Sequence, residues 1–342
     1  MKNYLPLLLV LCMLSGCSFP GMETRETAET PAPDLPADSA PEASSDKRCG
    51  DGVCDGPETA ENCPQDCTED ESMPSAEETT LWVENPTSGS NLAVHIFTPA
   101  DWHGTELPTL ILIPGGVGDS SDFMGDRRSA QNYADQGFTV VIFDPEGRGA
   151  SEGEEDLNGH AGQDGLAEIV RTIAKRPEVD PDRIGLVSFS FGVTLGSGTL
   201  ARYPELPIVF FMDWEGPANR VYTTHDCSAD HPGIGSTEGM ASCEDDEFWR
   251  EREAEVFIAS VQVPYQRLQF EDDHSQETPE HAVVMINAAV EGDPPWVRLN
   301  NDSPNTTYAL TPLPAMFPGD AGIRLNDLVV EIAQELFLLF AP

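Results

Sequence analysis

The chain has 342 residues, of which 60 are acidic and 18 are basic, giving a formal net charge of −42. Such an excess of negative charge argues against nucleic acid and anionic lipid as natural partners, because both would repel the chain. Its length allows one large α/β domain after the N-terminal segments. No apolar stretch of the sequence is long enough to span a bilayer.

The first 17 residues have the pattern of an export signal. Residues 1–16 carry Lys2 and then an apolar run at 7–14, which is too short to cross a bilayer and predicts a signal peptide. The ending Leu-Ser-Gly-Cys resembles a bacterial lipobox, which implies that Cys17 is lipidated and becomes the new N-terminus. By the same resemblance, Ser18 directs the protein to the outer membrane, anchored by its lipid alone. The alternative is an ordinary signal peptide with an incidental cysteine.

A cysteine-rich segment follows a tether. Residues 17–48 are rich in proline, alanine, serine and acidic residues, which predicts a disordered, acidic spacer. Residues 49–67 then contain four cysteines, and an exported chain meets an oxidising medium, so they predict two disulfides with three alternative connectivities. Zinc is the competing interpretation, but it favours histidines or CxxC spacing. The four cysteines are Cys49, Cys54, Cys63 and Cys67.

The same segment carries acidic residues and resembles small Cys-rich modules near the start of secreted bacterial proteins. Their carboxylates could bind calcium, or they could simply keep a small module soluble. The calcium candidates are Asp51, Asp55, Glu58 and Asp66. A second acidic linker, 68–80, leads to the main domain at 81–342.

The main domain opens with two predicted antiparallel strands, joined by a turn at 86–90. An apolar strand at 107–114 follows and ends in Gly115-Gly116-Val117-Gly118. Glycines at the end of a strand let backbone N–H groups approach a ligand closely. No GK[ST] sequence follows, so the loop is not a P-loop. It suits an oxyanion-binding loop better.

Strands and helices then alternate. We predict helices at 129–136 and 166–176 and strands at 138–143 and 207–212, with the central strand running through 184–187 to Ser188. Near-continuous apolar strands indicate a parallel sheet covered on both faces. After that strand, Phe189-Ser190-Phe191-Gly192 turns into a small-residue helix ending near 203. A serine on such a strand–turn–helix elbow is exposed and has backbone amides beside it.

Four features together resemble the α/β-hydrolase fold, in particular its dienelactone-hydrolase-like and prolyl-oligopeptidase-like esterases and peptidases. They are the glycine-rich loop, the D-P-x-G-R-G-x-S-x-G pattern from Asp144, the serine elbow and the later pair Asp272-Asp273. The resemblance covers 81–342. It implies a mostly parallel central sheet with helices on both faces, and a cofactor-free serine hydrolase acting on a small ester or peptide.

The resemblance also implies site residues. Ser190 would be the nucleophile, and the amides of Phe191 and of Gly116 or Val117 would form the oxyanion hole. Asp273 stands just past a predicted strand at 264–270, where the family places its acid, with Asp272 as the competing residue.

The base is the difficulty, because the family places its histidine after the last strand. That strand is predicted at 296–300, and no histidine follows it. His274, beside the predicted acid, and His281, near the start of a predicted helix at 279–290, are the candidates. Two hypotheses therefore remain: a serine hydrolase with a displaced histidine, or a catalytically inactive hydrolase-fold binding protein at the cell surface. The remaining histidines are weaker candidates: His95, His103, His160, His225 and His231.

Residues 221–255 interrupt the strand–helix alternation. The segment is polar, contains Cys227 and Cys243, and stands where such folds carry a lid. It is either a lid over the substrate pocket or a surface excursion, and we predict a disulfide between its two cysteines. The chain ends in a predicted amphipathic helix at 324–340.

Overall fold

The computed structural model describes residues 78–125, 128–224, 227 and 241–342, all within one compact unit that covers 68–342. The predicted signal peptide, Cys17, the tether and the cysteine-rich segment with its calcium candidates lie outside the described residues. So do His225 and His231.

The centre of the domain is an eight-stranded sheet in the order β1-β2-β4-β3-β5-β6-β7-β8. The pairs β1–β2 and β2–β4 are antiparallel and all others are parallel. This confirms the predicted α/β-hydrolase fold class. The strands are β1 Thr79–Glu84, β2 Asn91–Phe97, β3 Leu107–Ile113, β4 Thr139–Phe143, β5 Val179–Phe189, β6 Phe210–Trp214, β7 Tyr265–Leu268 and β8 Val297–Leu299.

Helices cover both faces of the sheet because side chains alternate along each strand. In β3, for example, Ile111 and Ile113 join one core with the helices at 160–173, 192–202 and 280–291, whereas Leu110 and Leu112 join a second core with those at 130–134 and 324–340. The helices are α1 Ala130–Ala134, α2 His160–Ile173, α3 Gly192–Arg202, α4 Arg220–Thr223, α5 Asp246–Arg250, α6 Ala254–Ile258, α7 Glu280–Glu291 and α8 Arg324–Phe340.

Two boundaries differ from the sequence prediction in ways that matter. Helix α2 begins at His160 rather than at 166, and Gly165 lies within it where a Cβ would approach Leu92 Cδ1 to 2.7 Å. Strand β6 continues to Trp214, two residues beyond the predicted end. In the first case, Gly165 has no side chain, and this leaves room for the helix to pack closely against Leu92 of β2. The second moves Glu215 to the edge of the sheet.

The described part of the 221–255 insertion packs against the domain. The predicted disulfide between Cys227 and Cys243 is present. Arg252 is buried and donates hydrogen bonds to the backbone carbonyls of Asp156 and Leu157, just before α2. Within the residues that the structure describes, none of the helices has both the length and the apolar character needed to cross a membrane.

Candidate active site

The serine elbow joins β5 to α3. Ser190 has a φ of +51°, in the left-handed region that non-glycine residues rarely adopt, and its N–H donates to Trp214 O at 2.8 Å. The helix passes so close to the neighbouring strand that a Cβ on Gly192 would lie 2.5 Å from Pro114 O. The small residues around the serine therefore permit a strained turn that presents its hydroxyl.

His274 lies against this serine. Its Nε2 is 2.8 Å from Ser190 Oγ, and its Nδ1 is 2.9 Å from Oε2 of Glu215. The ring stacks on Trp214 with a centroid distance of 4.5 Å, and the side chain remains 29% exposed. A hydroxyl, an imidazole and a carboxylate are thus hydrogen-bonded in the order that nucleophilic catalysis by serine requires.

Glu215 follows β6 directly and is almost fully buried. Its φ is +48°, and its carboxylate accepts hydrogen bonds from the N–H groups of Phe270 (3.0 Å) and His274 (3.1 Å) as well as contacting the imidazole. Glu215 is not among the site residues predicted from the sequence. The sequence did carry a signal for it, because the segment Asp213–Pro217 places a carboxylate directly after β6, the strand that follows the elbow strand in the chain.

Asp273, the acid expected from the resemblance, lies near His274 but is not its hydrogen-bond partner. Oδ1 of Asp273 is 3.7 Å from His274 Nδ1 and accepts hydrogen bonds from the N–H groups of Ser275 and Gln276, both at 2.8 Å. Oδ2 accepts from Gln269 Nε2 at 2.8 Å and contacts His281. The Asp273 side chain therefore turns away from its neighbour and holds the loop on which His274 stands. Asp272, its competing residue, is exposed and lines a cavity.

The alternative base, His281, is also placed elsewhere. Its side chain is buried, with Nε2 2.8 Å from Oδ2 of Asp273 and Nδ1 2.9 Å from Gly216 O. Burial raises the pKa of Asp273, but its hydrogen bond with His281, the charge of His281 and further hydrogen bonds outweigh burial and lower that pKa below its usual range. His281 is therefore a partner of Asp273 and does not contact Ser190.

The glycine-rich loop lies directly against the elbow. A Cβ on Gly115 would be 3.0 Å from Ser190 Cβ, and Gly118 N donates to Gly115 O to close a tight turn. Gly116 has a φ of +54°. Within the described ranges, the N–H groups of Gly116, Val117 and Phe191 donate no hydrogen bond to another residue. The amides predicted to bind an oxyanion are thus unengaged in two segments that meet at Ser190.

A cavity of about 380 Å³ opens beside His274. Its walls combine the aromatic face of Trp214 and the apolar Leu325 with the charged side chains of Arg128 and Asp320. The guanidinium of Arg128 lies 5.4 Å from the Trp214 ring centre. The cavity therefore offers both apolar and charged contacts to a substrate group next to the imidazole.

The same cluster could present ligand atoms to a metal ion, because atoms of Glu215, Asp273 and His274 lie within 4.8 Å of one another. However, both carboxylates already accept N–H donors from the backbone. The donor set consequently suits proton transfer better than metal binding.

Comparisons with known proteins agree with this architecture. The family described as "alpha/beta hydrolase fold" matches residues 108–206. A search of curated proteins gave no match.

Solved structures resemble the whole domain at low sequence identity. Porphyromonas gingivalis dipeptidyl peptidase 4 is 18% identical over 77% of this chain and 35% of its own, with a TM-score of 0.54. Est1E from Butyrivibrio proteoclasticus, solved with ferulic acid bound, is 17% identical over 76% of this chain and 98% of its own, with a TM-score of 0.53. A Rhizomucor miehei esterase is 15% identical over 79% and 85%, with a TM-score of 0.55. This chain thus spans about a third of the two dipeptidyl peptidase structures it matches, because the matches cover 36% and 35% of those proteins' lengths.

Proposed function

We propose that this chain, which has the α/β-hydrolase fold, is a serine hydrolase that cleaves an ester or short peptide bond through an acyl-enzyme on Ser190. The observation that carries the proposal is the continuous hydrogen-bonded series from Ser190 Oγ through both nitrogens of His274 to Glu215. His274 is the general base and Glu215 is the acid that orients it.

The geometry supports the following reaction. Ser190 Oγ attacks the substrate carbonyl carbon while His274 Nε2 takes the hydroxyl proton. The buried carboxylate of Glu215 fixes Nδ1–H and stabilises the imidazolium that forms. His274 then gives the proton to the leaving alcohol or amine as its bond to the acyl carbon breaks. A water molecule, deprotonated by the same imidazole, releases the acid and regenerates Ser190.

Backbone amides stabilise the negative charge on the carbonyl oxygen. The N–H of Phe191 follows the nucleophile, and that of Gly116 or Val117 lies on the adjoining loop. A preorganised donor in this role contributes about 10²–10³ in kcat.

The alternative, an inactive surface binding protein, was motivated by the lack of a histidine after β8. His274 lies after β7 instead and contacts Ser190, so the reason for considering an inactive protein is weaker. An inactive protein also has no need to keep a strained serine elbow beside two unengaged amide segments.

A fluorophosphonate probe tests the proposal without knowledge of the substrate. We expect the wild-type protein to be labelled on Ser190, as located by mass spectrometry of the modified peptide, and Ser190→Ala to be unlabelled. Ser188→Ala is a matched control, because Ser188 is buried two residues earlier and its hydroxyl points to Met212 O. Labelling of Ser190→Ala at the wild-type rate would refute the proposal.

The sequence supports a further part of the proposal, namely that a lipid on Cys17 tethers the enzyme in the bacterial cell envelope, at the outer membrane. Its substrates would then be small extracytoplasmic esters or peptides.

A further inference from the structure

Arg148 connects the glycine-rich loop to the rest of the domain. It comes from the D-P-x-G-R-G-x-S-x-G motif and is 5% exposed. Its Nη1 donates to Gly116 O at 3.2 Å and to Gly118 O at 3.3 Å. On its other edge, the guanidinium makes a two-point contact with the Glu155 carboxylate, at 2.5 and 2.9 Å. Arg148 therefore links the glycine-rich loop to the carboxylate of Glu155 by hydrogen bonds on both edges of its guanidinium.

Asn158 extends this contact to the serine elbow. Its Oδ1 accepts from Arg148 Nη2 at 2.9 Å, and its Nδ2 donates to Phe191 O at 2.9 Å. Asn158 is 2% exposed and has a φ of +65°. Arg148 and Asn158 thus touch both of the segments whose amides would form the oxyanion hole.

Peptide geometry gives this contact a chemical consequence. The C=O of Gly116 and the N–H of Val117 belong to one trans peptide and point in opposite directions. Arg148 holds that carbonyl, so the N–H of Val117 is directed away from the guanidinium and is polarised by its charge. The same reasoning favours Val117 over Gly116 as the donor from this loop, since the peptide that carries the Gly116 N–H has no such contact with Arg148.

We propose that Arg148 and Asn158 are positioning residues that set the oxyanion hole, with Val117 N–H as its donor on the glycine-rich loop. This inference rests on the proposed serine hydrolase function. It predicts that losing either side chain slows the chemical step while leaving reagent binding and the pH dependence of labelling unchanged.

Two variants test the inference. Arg148→Lys keeps the positive charge but lacks the planar guanidinium. A lysine cannot bind the two loop carbonyls and, at the same time, the side chains of Glu155 and Asn158. Asn158→Gly removes the amide at a position where glycine adopts the observed φ freely, so the fold should persist. Arg298→Lys is the matched control. Arg298 lies on β8 and also makes a two-point contact with a carboxylate, that of Glu335 on α8.

The measurement is the saturation kinetics of fluorophosphonate labelling, since the phosphoryl oxygen occupies the oxyanion hole during attack by Ser190. For both test variants we expect the maximal labelling rate to fall about tenfold, a part of what loss of a whole donor costs. The half-saturating probe concentration and the pH profile should match the wild type, and Arg298→Lys should react normally. A purely structural role would lower the melting temperature and the labelled fraction but not the rate of the folded protein.

The outcomes separate the two proposals. A wild-type protein that does not react would overturn the serine hydrolase function and this inference with it. A reactive wild type with unchanged rates in Arg148→Lys and Asn158→Gly would overturn the inference alone. An equal decrease in Arg298→Lys would also overturn it.

Discussion

Oδ2 of Asp273 lies 2.8 Å from Nε2 of His281, and both side chains are fully buried. The pair stands behind the loop that carries His274, whose neighbours Ser275 and Gln276 donate their N–H groups to the other oxygen of Asp273. On its far side, His281 contacts Arg267, which is itself paired with Asp213. A buried network of charged and polar groups thus supports the loop that carries His274.

The first prediction separates Glu215 from Asp273. Glu215→Gln keeps the shape but can no longer stabilise the imidazolium, so we expect kcat on a p-nitrophenyl ester to fall by about 10³-fold or more. Asp273→Asn should reduce kcat by about tenfold, because it loosens the loop but leaves Glu215 in contact with His274. Activities are compared per active site, counted by fluorophosphonate labelling. If Asp273→Asn were the more damaging change, Asp273 would return as the orienting acid.

The second prediction concerns the base. His274→Ala should lower kcat by at least ~10²-fold, because Ser190 loses its only described imidazole contact. His281→Asn should reduce thermal stability, since it disturbs the buried pair with Asp273, while each correctly folded molecule retains catalysis. The comparison needs a melting curve and a count of labelled sites for each variant. Equal kcat losses per folded site in the two variants would contradict this assignment.

The fold was predictable because its strands are unbroken apolar runs and its elbow has a distinctive composition. The partners of Ser190 were harder to identify. The predicted end of β6 at 212 left Asp213 and Glu215 in one undifferentiated loop. In the structure Asp213 is paired with Arg267, and only Glu215 reaches the imidazole. Such a difference depends on where β6 ends and on pairing between side chains distant in sequence.

The position of His274 shows a similar limit. Adjacent residues on an extended strand point to opposite faces, so the neighbours Asp273 and His274 are not expected to hydrogen-bond while the backbone stays extended. In the structure Oδ1 of Asp273 lies 3.7 Å from His274 Nδ1. The alternation of side chains does not reveal that Asp273 accepts the N–H groups of the next turn, on the loop that presents His274 to Ser190. Both proposed partners of Ser190 therefore follow the two strands that come after the elbow strand in the chain: Glu215 follows β6 and His274 follows β7.

The third prediction concerns acid stability. The pKa of Asp273 is lowered in the folded protein, so the unfolded chain binds more protons at this site in acid. Its contribution is fully present above the ordinary aspartate value of about 3.9 and is lost as pH falls below that value toward the folded-state pKa. Urea unfolding of wild type and Asp273→Asn from pH 3 to 6 should therefore show a stability difference that shrinks toward low pH. A difference that grows on acidification would contradict the lowered pKa.

The last prediction concerns the anchor and rests on the sequence alone. If Leu14-Ser-Gly-Cys17 is a lipobox, Cys17→Ala should move the protein from the membrane fraction to the soluble fraction, because the variant cannot carry the lipid that is the proposed anchor. Ser18→Asp is a useful companion variant. By the resemblance it should keep the lipid but change the membrane in which the protein is retained. Fractionation followed by immunoblotting measures both variants, with mass spectrometry of the N-terminal peptide to detect the lipid. Retention of Cys17→Ala in the membrane fraction would refute the anchor, and an unlipidated wild-type peptide would favour the ordinary signal peptide.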